Sequence, residues 1–340
     1  MKHILMFLVV IATFFFLSSM AIRETFFVLE DDESITQVLE KLGQPVTANR
    51  VNNEIPGVSA ESGRDLVLYG IATDINGKKT SRQSKHFVCT TCHNVEREDP
   101  DLRYTDPQAR LLYVRDKGLP FLQGSALYGA VNRTTFYNDD YIKKYGDLVK
   151  EAKNSIRAAI QLCAVECSQG RPLEDWELES VLAYLWEIDL KVKDLNLNEN
   201  QKSQIAKAVN DNSNQTAAIE LIESMYLKKS PATFVDPPAD RKKGYELQGD
   251  ADNGQLLYEQ SCLHCHEGGR YAMFKLDHSN FSLKHLDKHF SRYTRYSTYQ
   301  VSRYGTSPIN GKRAYMPNFT LEKMSNQQLE DLRAYVATHK

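Results

Sequence analysis

Cys89-Thr90-Thr91-Cys92-His93 and, much later in the chain, Cys262-Leu263-His264-Cys265-His266 share the pattern C-x-x-C-H. Chance predicts roughly 0.003 such motifs in a chain of 340 residues with six cysteines and nine histidines. Two thiols separated by two residues can each add to one vinyl group of a porphyrin, and the adjacent histidine then lies beneath the ring with a nitrogen on iron. The pattern is the attachment signature of c-type haem, so the sequence predicts two covalently bound haems (haem c).

The four motif cysteines and the histidine that ends each motif are therefore the expected haem-binding residues. A structural zinc site could use two C-x-x-C pairs as four thiolate ligands, but zinc gives no reason for a histidine after each pair. A redox-active C-x-x-C pair would need a βαβ context, which the sequence lacks. We expect thioether attachment at Cys89, Cys92, Cys262 and Cys265, and iron ligation by His93 and His266.

The second motif lies in a unit of about 100 residues that has the pattern of a small helical domain. Gly254 and Tyr258 precede the motif on a predicted helix, and apolar residues at helical spacing predict a final helix (Leu329, Leu332, Tyr335 and Val336). The glycine would allow the two helices to cross closely. Between them, Met316-Pro317 resembles the distal-ligand segment of class I cytochromes c, and we expect Met316 to be the sixth ligand of this iron. Met324 is the competing ligand, and a core-filling role for Met316 is the alternative.

The first motif has no histidine or methionine downstream in its own unit to complete the ligation of its iron, because neither residue type occurs between Asn94 and Ser224. The same stretch holds Cys163 and Cys167, near the end of a predicted helical segment over residues 152–168. A cysteine thiolate is a known haem ligand. A disulfide between the two cysteines is the first alternative, although its closure would strain a single helix, and two ordinary buried thiols are the second.

The residues around this cysteine pair resemble one family. Cys163 is followed by Gly170-Arg171-Pro172-Leu173 and then by the helical segment 179–185, a pattern similar to the haem-1 domain of dihaem thiosulfate dehydrogenases. The resemblance covers residues 63–190 and 239–340. It implies that Cys163 rather than Cys167 is the thiolate ligand of the first iron, and that Cys163 is also the catalytic, substrate-reactive sulfur.

The chain departs from that family at two positions beside the cysteine. The family has arginine and serine where this chain has Glu166 and Cys167, and a carboxylate at Glu166 repels a thiosulfate dianion. We therefore expect an exported dihaem cytochrome c that passes electrons to or from a redox partner protein. Oxidation of thiosulfate to tetrathionate, with a small sulfur oxyanion as substrate, is the enzymatic alternative. A haem-based sensor or peroxidase is the third interpretation.

The N-terminal residues predict export. A basic start precedes an apolar run over residues 4–17, and Ser19 and Ala21 supply the small residues of a cleavage site, so residues 1–21 have the pattern of a signal peptide. An uncleaved membrane anchor is the alternative. We expect the mature protein to be periplasmic or otherwise extracytoplasmic, with no membrane span once the signal is removed.

Composition and patterning set the remaining expectations. Lys and Arg total 42 against 44 Asp and Glu, so the chain has no global basic field for nucleic acid. No β-hairpin alternation appears, and the expected fold class is mainly α, with two cytochrome c-like helical domains joined by a helical linker. The expected units are a signal peptide (1–21), an N-terminal extension (22–62), a first domain (63–190), a linker (191–238) and a second domain (239–340).

Overall fold

The computed structural model describes residues 26–272, 274–306 and 315–339. Within these ranges the chain is mainly helical and contains no strand, only isolated β-bridges, which confirms the predicted fold class. The predicted signal peptide lies outside the described residues. The helices are α1 (Ile35–Lys41), α2 (Ala60–Tyr69), α3 (Pro107–Lys117), α4 (Asp139–Tyr145), α5 (Ile156–Leu162), α6 (Asp175–Glu187), α7 (Glu199–Asp211), α8 (Gln215–Glu223), α9 (Ala251–Leu257), α10 (Leu263–His266), α11 (Asn280–Phe290), α12 (Thr298–Tyr304) and α13 (Asn326–Thr338).

Shorter helical turns connect these elements. Two of them are π-turns, Cys163–Cys167 and Tyr258–Cys262, and each continues directly from an α-helix. The others are 3₁₀ turns, at Cys89–Thr91, Ala130–Asn132, Gly146–Val149, Glu151–Lys153, Val192–Leu195 and Glu267–Gly269.

The crossing predicted for the second motif unit is present. Helix α9 packs against α13, and a Cβ at Gly254 would overlap the carbonyl of Asp331 on α13. Ser325 caps α13, its hydroxyl accepting from the Gln328 amide while the Gln328 side chain accepts from the Ser325 amide. This reciprocal pair satisfies two backbone donors at the start of the helix. The buried core here consists of Leu257, Tyr258, Leu263, Leu276, Leu283, Phe290, Tyr299, Phe319, Met324, Leu329, Leu332, Tyr335 and Val336, joined by Leu111, Val114 and Phe121.

The first motif unit repeats this crossing with different residues. Helix α2 packs against α6, and a Cβ at Gly63 would overlap the carbonyl of Ser180 on α6. The sequences of α2 and α9 do not reveal that the two crossings are similar, because the feature common to both contacts is a single glycine in each helix. Each C-x-x-C-H motif therefore follows a helix that crosses a later helix at a glycine with no space for a side chain.

A third hydrophobic cluster joins two segments that are far apart in the sequence. Residues of α1 pack against α7 and α8, so the start of the described chain and residues 190–226 share one core. Its buried members are Leu29, Ile35, Val38, Leu39, Leu42, Leu190, Val192, Leu195, Ile205, Ala208, Ala218, Ile222 and Tyr226. The helices predicted within residues 191–238 are present as α7 and α8, but their packing partner was not predicted.

Substitution of either crossing glycine by alanine should destabilise the protein. We expect Gly63→Ala and Gly254→Ala to lower the free energy of unfolding by about 1–3 kcal/mol or more, because the new methyl group must push two helix backbones apart. This cost outweighs the gain of up to about 1 kcal/mol in helix propensity. Urea unfolding followed by circular dichroism measures the effect. Gln255→Ala, at an exposed position of α9, is the control and should change stability by less than about 0.5 kcal/mol. An alanine variant as stable as the parent would contradict the packing.

Candidate functional site

The first motif presents its histidine in a fixed orientation. Cys89–Thr91 forms a 3₁₀ turn, and the backbone amide of His93 donates to the Cys89 carbonyl at 3.1 Å. The His93 Nδ1 donates to the Ser125 carbonyl at 2.7 Å. Gly124 packs closely against the imidazole of His93. A Cβ at position 124 would lie 2.5 Å from the ring, so only glycine leaves room for it. The hydrogen bond at Nδ1 leaves Nε2 free for a metal, which is the arrangement that orients most ligating histidines.

The second motif repeats this arrangement on a different local backbone. Cys262 ends the π-turn, and the motif continues into α10, which ends at His266. The His266 Nδ1 donates to the Phe274 carbonyl at 2.6 Å, so Nε2 is again the free nitrogen. Burial lowers the pKa of both His93 and His266, which keeps each imidazole in the neutral form that binds metal. The sequence could not identify either carbonyl partner, since a backbone acceptor leaves no side-chain pattern.

The two motifs lie close to each other. Burial raises the pKa of the Cys92 thiol, and the nearby thiols of Cys265 in the second motif and Cys167 in the π-turn raise it further. Burial alone raises the pKa of Cys89 to about 11 and contributes most to the pKa of about 12 at Cys262. Charge interactions of this kind fade with distance, so the thiols of Cys92 and Cys265 lie near each other.

The cysteine pair is placed by a π-turn and not by the continuous helix that the sequence predicts over 152–168. Helix α5 ends at Leu162, and the amide of Ser168 then donates to the carbonyl of Cys163 at 2.8 Å, five residues back. Such π-turns occur mostly as single insertions in helices and often at functional sites. Both cysteines are free thiols and both are half-buried.

The environments of the two thiols differ. A hydrogen bond between them raises the pKa of Cys163, with burial adding to the rise, and lowers the pKa of Cys167. The hydroxyls of Tyr315 and Tyr137 also donate to Cys167 and lower its pKa. The thiols of Cys89 and Cys92 are close enough to raise the pKa of Cys163 further. Cys163 therefore lies near the first motif, and its ligation of the first iron stays a prediction.

Met316, which is predicted to be the distal ligand of the second iron, lies in the second motif unit. Met316 is half-buried against the same core as Cys262. Its carbonyl accepts from the Thr306 amide at 2.9 Å, and its amide donates to the Thr306 hydroxyl at 2.8 Å. The competing residue, Met324, is a buried member of that core and its carbonyl accepts from the Arg303 guanidinium at 2.8 Å. Met316 is thus the more accessible of the two candidate sulfur ligands.

A buried group of charges lies beside the first motif, and the sequence analysis missed it. Glu98 accepts hydrogen bonds from Lys323 at 2.8 Å and from Asn94 at 2.9 Å, and it pairs with Arg110 at 3.4 Å. Burial opposes ionisation of Glu98, but the charges of Lys323 and Arg110 outweigh it and lower its pKa to about 2. The carboxylate therefore joins three segments: the residues after the first motif, helix α3, and the loop before α13. No local pattern predicts this group, because Glu98 and Lys323 are 225 positions apart.

The residues present fit covalently attached haem. Two motifs each supply two thiols and one neutral imidazole with a free Nε2, the donor set that a haem c requires. Buried polar atoms without a hydrogen-bond partner also flank these sites, among them Gln123 Oε1, both amide atoms of Gln169, and His264 Nε2. A buried polar atom without a partner costs about 1–3 kcal/mol, so these atoms are suited to a polar group carried by a cofactor. In the part of the chain described, no cluster of three or more Cys, His, Asp or Glu could bind a bare metal ion.

Comparison with protein-family models supports this assignment for the second unit. Residues 249–336 match the family described as "Cytochrome C oxidase, cbb3-type, subunit III". This segment is a cytochrome c domain. The cytochrome c domain binds haem c, and its function is electron transfer with a redox protein partner. The match begins just before α9 and ends in α13, so it contains the glycine crossing, the second motif and Met316.

The match covers about a quarter of the chain, and the first motif lies outside it. The comparisons with curated proteins and with solved structures returned no match. Among the described residues, none of the helices combines the length and the apolar character needed to span a bilayer.

Proposed function

We propose that the chain binds two haem c groups and transfers electrons between them and a redox partner protein outside the cytoplasm. One observation carries the proposal: the first motif repeats the local design of the cytochrome c domain. In both units, the helix before the motif crosses a later helix at a glycine, and the motif histidine donates from Nδ1 to a backbone carbonyl. A histidine so oriented supports haem attachment at Cys89 and Cys92.

The proposed ligands of the two irons are different. The first iron would be held by His93 and the thiolate of Cys163, and the second by His266 and Met316. Haem bound at these sites would supply one-electron redox chemistry, and methionine ligation raises the potential of a haem. The proximity of Cys92 to Cys265 supports direct exchange between the two centres. A thiolate-ligated centre beside a higher-potential centre gives the transfer a direction.

Haem content tests the proposal directly. We expect the exported wild-type protein to carry two covalent haems, and the double variant Cys89→Ala/Cys92→Ala to carry one. Cys262→Ala/Cys265→Ala should also carry one, because each motif would hold its own group. The pyridine haemochrome absorbance per chain and the mass of the intact protein measure the number. A wild-type protein with one haem, unaffected by loss of the first pair, would contradict the proposal.

Oxidation of thiosulfate to tetrathionate is the second candidate function. The position of Cys163 beside Cys89 and Cys92 supports it, because a substrate-reactive sulfur must lie next to the electron acceptor. Glu166 is exposed in the same turn, and its carboxylate favours the carrier function by repelling a dianion. Tetrathionate formation by the purified protein tests this function. Turnover no greater than that of a haem-free preparation would exclude it.

A further inference from the structure

We propose that Cys163 and Cys167 form a reversible dithiol–disulfide pair that exchanges with a small-molecule disulfide. The inference rests on the proposed function in one respect: formation of the disulfide would withdraw the Cys163 thiolate from the first iron. The pair would therefore act as a two-electron redox site of its own and would also control the ligation of the first haem.

The π-turn favours a disulfide bond between Cys163 and Cys167. A π-helix has more residues per turn and a smaller rise per residue than an α-helix, so two positions four residues apart lie more nearly side by side. The thiols of Cys163 and Cys167 are already in hydrogen-bonding contact. The strain expected for a disulfide within a regular α-helix is thereby reduced at this place in the chain.

Two side chains position the Cys167 sulfur. The hydroxyls of Tyr137 and Tyr315 both donate to it. The ring of Tyr315 is held by an edge contact with Phe87, at 5.8 Å between centroids. The neighbouring side chains Val165 and Glu166 are exposed on the same turn, which gives a small molecule access to the pair.

The chemistry balances without any other reactant. The Cys167 thiolate attacks one sulfur of the small disulfide, a mixed disulfide forms, and one thiol leaves. The Cys163 thiolate, released from the iron, then attacks the Cys167 sulfur and displaces the second thiolate of the small molecule. The two protein thiolates lose two electrons, and the small disulfide is reduced to two thiolates, which take up protons from water. A disulfide sulfur carries no thiolate charge, so Cys163 in this state is no longer a thiolate ligand.

Thiol counting separates this inference from the proposed function. If both motifs carry haem, four of the six cysteines are thioethers, and the denatured, reduced protein should contain two alkylatable thiols. Four or six thiols would overturn the dihaem proposal whatever the pair does. The native protein is then equilibrated with reduced and oxidised glutathione at a series of ratios, alkylated and digested with trypsin. Both cysteines fall in the peptide 158–191, because Arg171 precedes Pro172 and resists cleavage.

We expect this peptide to change completely from a doubly alkylated form to an unalkylated form that is lighter by two hydrogens than the free dithiol. Cys163→Ser should instead accumulate a glutathione adduct on Cys167, because the resolving thiol is absent. In the haem-loaded wild type, the thiolate-type low-spin EPR signal should fall with disulfide formation and return with dithiothreitol, whereas in Cys167→Ser it should persist. Two free thiols at every glutathione ratio, in a protein with two haems, would overturn the inference. The wild-type peptide result needs no variant, so it decides the matter even if a variant misfolds.

Discussion

Glu98→Gln should lower the free energy of unfolding by about 3–5 kcal/mol, because it removes the carboxylate that pairs with the buried Lys323 and Arg110. Both cations are buried, so neither can move to solvent without disrupting the core. Arg110 is also held by backbone carbonyls, donating to that of Leu122 at 3.2 Å and to that of Lys323 at 2.7 Å. Urea unfolding of the haem-loaded protein measures the loss.

Two comparisons show whether the charge group is responsible. Adding Lys323→Met to Glu98→Gln should restore part of the stability, and the double-mutant cycle then gives the coupling between the two side chains. Lys207→Met removes one member of an exposed pair on α7, with Asp211, and should cost less than about 0.5 kcal/mol. Equal losses in Glu98→Gln and Lys207→Met would contradict the role assigned to burial.

The same variant has a pH signature. The folded-state pKa of Glu98 is lowered to about 2, so its stabilising contribution is complete above the unfolded-state value and is lost as pH falls from about 4.5 towards 2. The wild type should therefore lose stability more steeply than Glu98→Gln in this window. Identical slopes would show that Glu98 is not the group that titrates.

The buried charge group of Glu98, Lys323 and Arg110 is an example of a feature that the sequence does not predict. The final helix with its Ser325 cap, the crossing at Gly254 and the helices of residues 191–238 follow from local pattern and are present. Gly63 allows the equivalent helix crossing in the first unit, but a single buried glycine at the start of a short helix does not by itself predict a crossing. Contacts between distant segments, such as Glu98 with Lys323, depend on tertiary packing and leave no periodicity to detect.

The candidate site also has features that the sequence predicts and features that it does not. The C-x-x-C-H motifs are recognisable from residue type and spacing, because haem attachment requires those residues at those intervals. The carbonyls of Ser125 and Phe274 that orient the two histidines are invisible in the sequence, since any residue has a carbonyl. The π-turn at Cys163–Cys167 is equally hidden, because its five residues are compatible with a regular helix.

Cys163→Ala should abolish the thiolate-type low-spin EPR signal of the first ferric haem, whereas Cys167→Ala should preserve it. Cys163 is the proposed ligand, and its thiol lies beside Cys89 and Cys92. Cys167 instead accepts hydrogen bonds from Tyr137 and Tyr315. Low-temperature EPR of the oxidised proteins measures the signal, with covalent haem content as the control that both variants are equally loaded.

The ligand difference should also appear in the potentials. A thiolate donates electron density to ferric iron, so its loss in Cys163→Ala should raise the midpoint potential of the first haem and leave that of the second unchanged. Each shift of about 59 mV corresponds to a tenfold change in a one-electron equilibrium, so loss of the thiolate should alter how electrons divide between the two centres. If Cys167→Ala, and not Cys163→Ala, removes the EPR signal and raises the potential, then Cys167 is the ligand and the resemblance to thiosulfate dehydrogenases fails at its central residue.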